Sequence, residues 1–193
     1  IDETKDITTP WEFEIDLIKK SLEKNTLNTM MFEAFQAKNF SQKKEKRVVL
    51  HDKYFFNAPY NNINLKHFIT LLESALNFAL YISYIQYIDY LENFPKIKIS
   101  EVLEFWSADN CDLWSNVLKN IKNSYNESEL NWLLASPKIK DELIGSLQDF
   151  KTLNNLSVNF CIPTPCLTTS LNYFYELINN NSWASLVELF NLN

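Results

Sequence analysis

Phe160-Cys161-Ile162-Pro163-Thr164-Pro165-Cys166-Leu167-Thr168-Thr169-Ser170-Leu171-Asn172-Tyr173-Phe174 is the run on which the fold turns. Pro163 and Pro165 lack amide hydrogens, and each pushes the residue before it toward extended backbone. The run is therefore a rigid break between two helices. Pro165 suits the first turn of the following helix, expected over 165–180, which carries Leu167, Leu171, Phe174, Leu177 and Ile178 at helical spacing. An Ile-Pro-x-Pro corner feeding an aromatic helix needs only packing to explain it.

Upstream of the corner, Ser136-Pro137 opens a helix through Phe150 to about Asn159. Asn64 caps the longest helix, about 65–92. Its apolar positions Leu65, Phe68, Leu72, Leu76, Leu80, Tyr84 and Ile88 advance by threes and fours, and Ile69, Ala75, Ala79, Ile82 and Ile85 widen the stripe. A helix apolar on most sides is expected at the centre of its domain. Glu73, Asn77, Gln86 and Asp89 interrupt the apolar run and would be costly in a bilayer, so no membrane span is expected.

Thr9-Pro10-Trp11-Glu12 has the form of a capping box with proline at the first helical position, opening a helix to about Lys24. A second helix is expected from Leu27 to Phe40. The basic cluster Ser41 to Arg47 suggests a solvated helix face, and His51 to Asn62 an ordered loop. Ser100 is read as the cap of a short helix, 101–107. Another helix runs from Asp112 to about Ser124, with a further turn or two over Glu127 to Leu134. No alternating strand pattern and no repeat occurs, so the expected architecture is all-α, one helical domain over 1–193.

Composition narrows the chemistry. Gly145 is the single glycine in 193 residues, so a Rossmann fingerprint or P-loop, which needs several, is excluded from this chain. Apolar residues make up 46%, with 14 Phe, 9 Tyr and 5 Trp, enough for a large core. A net charge of −6 disfavours nucleic acid or an anionic membrane as partner. Cys111, Cys161 and Cys166 are expected as buried free thiols of a reducing, cytoplasmic protein, and with only His51 and His67 no metal site is expected. Asp109, Cys111 and Asp112 at a helix start are ordinary dipole partners. Neither Cys161 nor Cys166 has a basic sequence neighbour to activate it, and no nucleophile elbow pairs with either histidine. No signal peptide is visible, and the start at Ile1 instead of Met suggests sequence upstream.

The proline run resembles the Ile-Pro-x-Pro-x-x-Thr/Ser-x-Ala/Ser-Leu-x-Tyr/Phe-Tyr run near the end of 6-phosphogluconate dehydrogenases, with Ile162, Pro163, Pro165 and Thr168 in the matching places. Weaker matches follow the same order. Trp11 stands where the family has Trp in Gly-Thr-Gly-Lys-Trp-Thr, and the 68–91 run is similar to the family's long central helix. Cys111 and Ser115 are similar to Cys and Ser of Cys-Ile-Ile-Arg-Ser, Leu130 to Leu134 to the Asn-Leu-Leu run, and Ala184-Ser185-Leu186 to the closing motif. The resemblance implies the second half of the helical domain that builds the family's dimer interface and part of its substrate pocket. The Rossmann domain for NADP and the catalytic Lys and Asn would lie upstream of it, so this chain is expected to hold no cofactor unless a separate Rossmann domain exists.

The resemblance also implies losses. Pro10 replaces the family's phosphate-binding Lys, Glu12 its Thr, and Trp114 the Arg of Cys-Ile-Ile-Arg-Ser. Asn191 falls near a late Arg. A charge-assisted hydrogen bond is worth about 1.5–3 kcal/mol, so three lost cations forfeit about 5–9 kcal/mol, or several orders of magnitude in affinity. The expected function is thus a catalytically inactive, protein-interaction or dimerisation module, with a homodimer or another protein as partner. Exposed members of the set Tyr81, Tyr84, Tyr87, Tyr90, Trp106 and Trp114 would be its anchors, unless they fill the core. The alternative is the C-terminal fragment of a divergent, NADP-dependent 6-phosphogluconate dehydrogenase of the pentose phosphate pathway.

Overall fold

The computed structural model describes residues 12–24, 26, 29–54, 64–107, 115–127 and 132–179. Within them lie eight α-helices and no strand. These are α1 (Glu12–Glu23), α2 (Thr29–Ser41), α3 (Lys44–Tyr54), α4 (Leu65–Leu91), α5 (Ile99–Trp106), α6 (Ser115–Glu127), α7 (Pro137–Asn159) and α8 (Pro165–Ile178). A 3-10 turn, Leu133–Ala135, precedes α7.

The long helix α4 is the axis. It packs most extensively against α7 and then α8; α2 lies on α8, and α5 pairs with α6. Phe78 of α4 sits at the centre, fully buried. Its ring meets Phe150 of α7 edge-on at 5.0 Å and Phe174 of α8 edge-on at 5.2 Å. Edge-to-face pairs add about 0.5–1.5 kcal/mol each beyond burial, so this trio locks three helices at one point. Asn64 caps α4 as expected, its side chain accepting from the His67 amide.

The face that α4 buries differs from the one its leading apolar residues suggested. Of Leu65, Phe68, Leu72, Leu76, Leu80, Tyr84 and Ile88, only Ile88 is buried, and Leu65 is 71% exposed. The core face is Leu71, Ala75, Phe78, Ala79, Ile82 and Ile85. Periodicity fixes the spacing of a stripe, but on a helix apolar nearly all round it leaves the phase to the neighbours, here Phe150 and Phe174. By length and composition α4 could cross a membrane. Its lengthwise packing against α7 and α8 marks it as a core helix.

Other boundaries shift for local reasons. His51 to Tyr54, expected in a loop, continue α3. The helix read as capped by Ser100 begins at Ile99, with Lys98 at the cap position and no side-chain cap bond. Ile99 and Leu103 of α5 are buried, so tertiary packing sets that start. The helix expected to end near Ser124 runs to Glu127, and the extra turn beyond it is the 3-10 turn. Cys161, expected to be buried, is exposed. Among the aromatic candidates, Tyr81 and Tyr90 are buried. Tyr84 and Tyr87 pack on Trp106 at centroid separations of 5.8 and 5.4 Å, closing the seam between α4 and α5.

Candidate functional site

Several residues singled out in the sequence lie outside the described residues: Thr9, Pro10, Trp11, Asp109, Cys111, Asp112, Trp114 and Asn191. Glu12 begins α1, with its side chain outside them. The structure therefore brings together only Ile162, Pro163, Pro165 and Thr168, at the corner between α7 and α8.

That corner is a closed piece of helix-end chemistry. The Ile162 amide donates to the Ser157 carbonyl at 2.8 Å and the Cys161 amide to the Val158 carbonyl at 3.1 Å. This is the Schellman pattern that closes a helix C-terminus, and it requires a left-handed residue at its pivot. Cys161 supplies it with φ of 55°, where glycine is the usual choice. Pro165 then takes the first position of α8. Thr164 makes no cap bond. Its hydroxyl instead bridges Ser157 Oγ at 3.2 Å and Thr168 Oγ1 at 3.4 Å, and Thr168 Oγ1 donates to Asn154 Oδ1 at 3.0 Å. Asn154, Ser157, Thr164 and Thr168 thus tie the end of one helix to the start of the next. The Cys166 thiol lies 3.8 Å from the Met30 carbonyl. Burial pushes its pKa up, and Glu33 adds to the rise, the reverse of what a nucleophile needs.

Two polar interruptions of α4 proved structural. Gln86, 3% exposed, donates from Nε2 to Thr29 Oγ1 at 3.0 Å and accepts at Oε1 from the Met30 amide at 3.2 Å, pinning the first turn of α2. Tyr173 Oη donates to Asp89 Oδ2 at 2.9 Å, pinning α8. Asp89 is an exposed residue overall, yet protein crowded against its carboxyl group raises its pKa, with the tyrosine bond pulling the other way. Glu92, one turn on, is raised by burial and by the Asp89 charge. Tyr173 is held far above its ordinary range by burial and by Asp89.

Two cavities accompany these features. One, about 380 Å³, lies between α4 and α7 and presents Ser74, Tyr81, Asp141, Glu142 and Gly145. Asn120 of α6 donates there to Tyr81 Oη at 2.8 Å and Glu142 Oε1 at 3.3 Å. The other, about 510 Å³, lies where the ends of α4 and α8 meet the 3-10 turn, and presents Ile85, Asp89, Glu92, Trp132, Leu134 and Ile178. Both carry carboxylates, and among the described residues neither is lined by a cation. Among the described residues no group of three or more His, Cys, Asp or Glu converges to hold a metal ion. The acidic clefts were missed in the sequence. Only Asp89, as a charge inside an apolar helix, hinted at one of them.

A family model described as 6-phosphogluconate dehydrogenase, C-terminal domain, matches residues 15–190. Two curated relatives, both "6-phosphogluconate dehydrogenase, decarboxylating" from strains of Staphylococcus epidermidis, are 24% identical over 166 residues, covering 83% of this chain and 35% of their own length. The chain thus spans about a third of these relatives. Among solved structures, Plasmodium falciparum 6-phosphogluconate dehydrogenase superposes with a TM-score of 0.85 at 24% identity, covering 96% of this chain and 41% of that one. At this identity the superposition speaks for the fold.

Proposed function

The chain belongs to the family described as 6-phosphogluconate dehydrogenase, C-terminal domain, and on that premise we propose that it acts as a dimer-forming protein-interaction module with no catalysis of its own. An electrostatic observation supports this reading: among the described residues the two cavities present carboxylates (Asp89 and Glu92; Asp141 and Glu142) and no Lys or Arg. A sugar phosphate would meet like charge there without the bidentate or point cations that such ligands need. The substitutions Pro10, Glu12 and Trp114 at the family's phosphate-binding and neighbouring positions work in the same direction. The apolar core, by contrast, is complete around Phe78.

No cofactor, metal, nucleic acid or membrane enters this proposal; NADP would enter only through a separate Rossmann domain. Calorimetric titration of the purified chain with 6-phosphogluconate is expected to give no saturable heat up to millimolar ligand. Saturation at micromolar concentrations overturns the inactive reading. A second reading, a fragment of an NADP-dependent enzyme, draws on the 35% share of the curated relatives that the chain spans. An upstream Gly-x-Gly-x-x-Gly half with its Lys and Asn in the full coding sequence would favour it.

A further inference from the structure

Gly145 is the single glycine of the chain, and it lies inside α7, where glycine is costly relative to alanine. The usual reasons for it are missing. Its φ is not positive, and a Cβ built on it would meet no neighbouring heavy atom within 4 Å, so neither the backbone nor a close neighbour requires glycine. What it leaves is space, and that space belongs to the 380 Å³ cavity between α4 and α7.

Two ties frame this cavity. Ser74 Oγ of α4 donates to Asp149 Oδ2 of α7 at 2.9 Å, and Asn120 bridges Tyr81 of α4 and Glu142 of α7. From 74 to 81 on one helix and from 149 to 142 on the other, the ties fall about two turns apart. Asn77 and Gly145 lie between them in sequence and line the same opening.

The polar groups there are incompletely matched. Tyr81 is 3% exposed, and its Oη accepts from Asn120 at 2.8 Å, yet its own hydrogen finds no acceptor among the described residues. A buried O–H in that state is costly, and a ligand oxygen would satisfy it. Burial raises the Tyr81 pKa, the Asn120 bond opposes the rise and the Glu142 charge adds to it, so the phenol keeps its hydrogen at neutral pH. The Asn77 carboxamide both donates and accepts, while Asp141 and Glu142 offer carboxylate oxygens.

An occupant must therefore give and take hydrogen bonds. An ammonium group only donates and would leave the Tyr81 hydrogen unmet; a phosphate would meet like charge. Adjacent hydroxyls serve every group present. We infer that this cavity binds a small, uncharged polyol such as a free sugar. Tyr81 and Asn77 donate to its oxygens, Asp141 and Glu142 accept from its hydroxyls, and Gly145 leaves room for its carbon frame. The site is separate from the α7–α8 corner and does not depend on whether the chain pairs with a protein.

The single glycine makes the test direct: isotope-labelled glycine gives one backbone amide signal from the full chain, that of Gly145. Glucose and sorbitol, one cyclic and one open, are titrated in turn. At least one is expected to shift that signal saturably, with a dissociation constant of about millimolar order, and its 6-phosphate ester should bind about tenfold more weakly or worse. Tyr81→Phe should weaken binding about threefold or more, with circular dichroism unchanged. Gly145→Ala, read by saturation transfer to the polyol, should also weaken binding about threefold or more while raising the melting temperature by about 2–4 °C, since alanine is the better helix former. A glycine with a merely structural role would not set binding against stability in this way. No saturable shift with either polyol, binding untouched by both substitutions, or a phosphate ester that binds as well as the free polyol overturns the assignment.

Discussion

Phe78, Phe150 and Phe174 interlock where α4, α7 and α8 meet, whereas the 13 residues of α2 contribute none that is buried, and α3 leaves Val48, Val49 and Leu50 open to solvent. The first region is held by packing. The second is held by α2 lying on α8 and by the two bonds that Gln86 makes to Thr29 and Met30. Packing over many contacts is cooperative, while a hydrogen-bonded pin is one attachment that can be lost alone. The core keeps the fold, and the N-terminal helices leave apolar side chains exposed.

Substitutions separate the two regions. Phe78→Ala should have the largest effect, lowering unfolding free energy by about 3–5 kcal/mol in urea titration, because it opens a cavity where three helices converge. A loss below about 1 kcal/mol would mean that the trio does not organise the core. Gln86→Ala removes the pin and leaves the Met30 amide unpaired, at a cost of about 1–3 kcal/mol. Its signature is regional: amide exchange should quicken in α2 while α7 keeps its protection. Equal loss in both would erase the distinction drawn here.

Alkaline pH should strike the core. Tyr81, Tyr87, Tyr90, Tyr125 and Tyr173 are all raised from the ordinary value of 10.0, chiefly by burial. Above about pH 10 unfolded tyrosines release protons that the folded chain retains, so the unfolded state binds fewer protons and stability falls as pH rises. Tyr173→Phe should flatten that decline, read as melting temperature between pH 9 and 11. An unchanged slope would remove Tyr173 from the explanation. The smallest effect is a gain. Cys161→Gly relieves a left-handed non-glycine residue and should stabilise by about 0.5–1 kcal/mol, whereas destabilisation would show that the side chain is needed at the turn.

Legibility followed the same divide. The corner and the two helices it joins could be read closely: α7 spans Pro137 to Asn159 and α8 begins at Pro165, because proline constrains the backbone locally. The existence of α4 and its Asn64 cap were equally legible. Its buried face was not, since apolar residues on nearly every side leave the phase to α7 and α8. The extension of α3 past His51 was hidden by a polar, aromatic run with no strong periodicity. The acidic cleft joins residues from α4, the 3-10 turn and α8, and such a juxtaposition has no signature in any one segment.

Native-state hydrogen exchange tests the central claim, a packed core bearing a peripheral, weakly packed helix. In dilute samples the amides of Leu71–Ile85, Leu143–Leu153 and Leu171–Phe174 should exchange only through global unfolding, while those of Val48–Leu50 exchange orders of magnitude faster. Protection of Val48–Leu50 equal to that of α4 in the monomer would contradict the account.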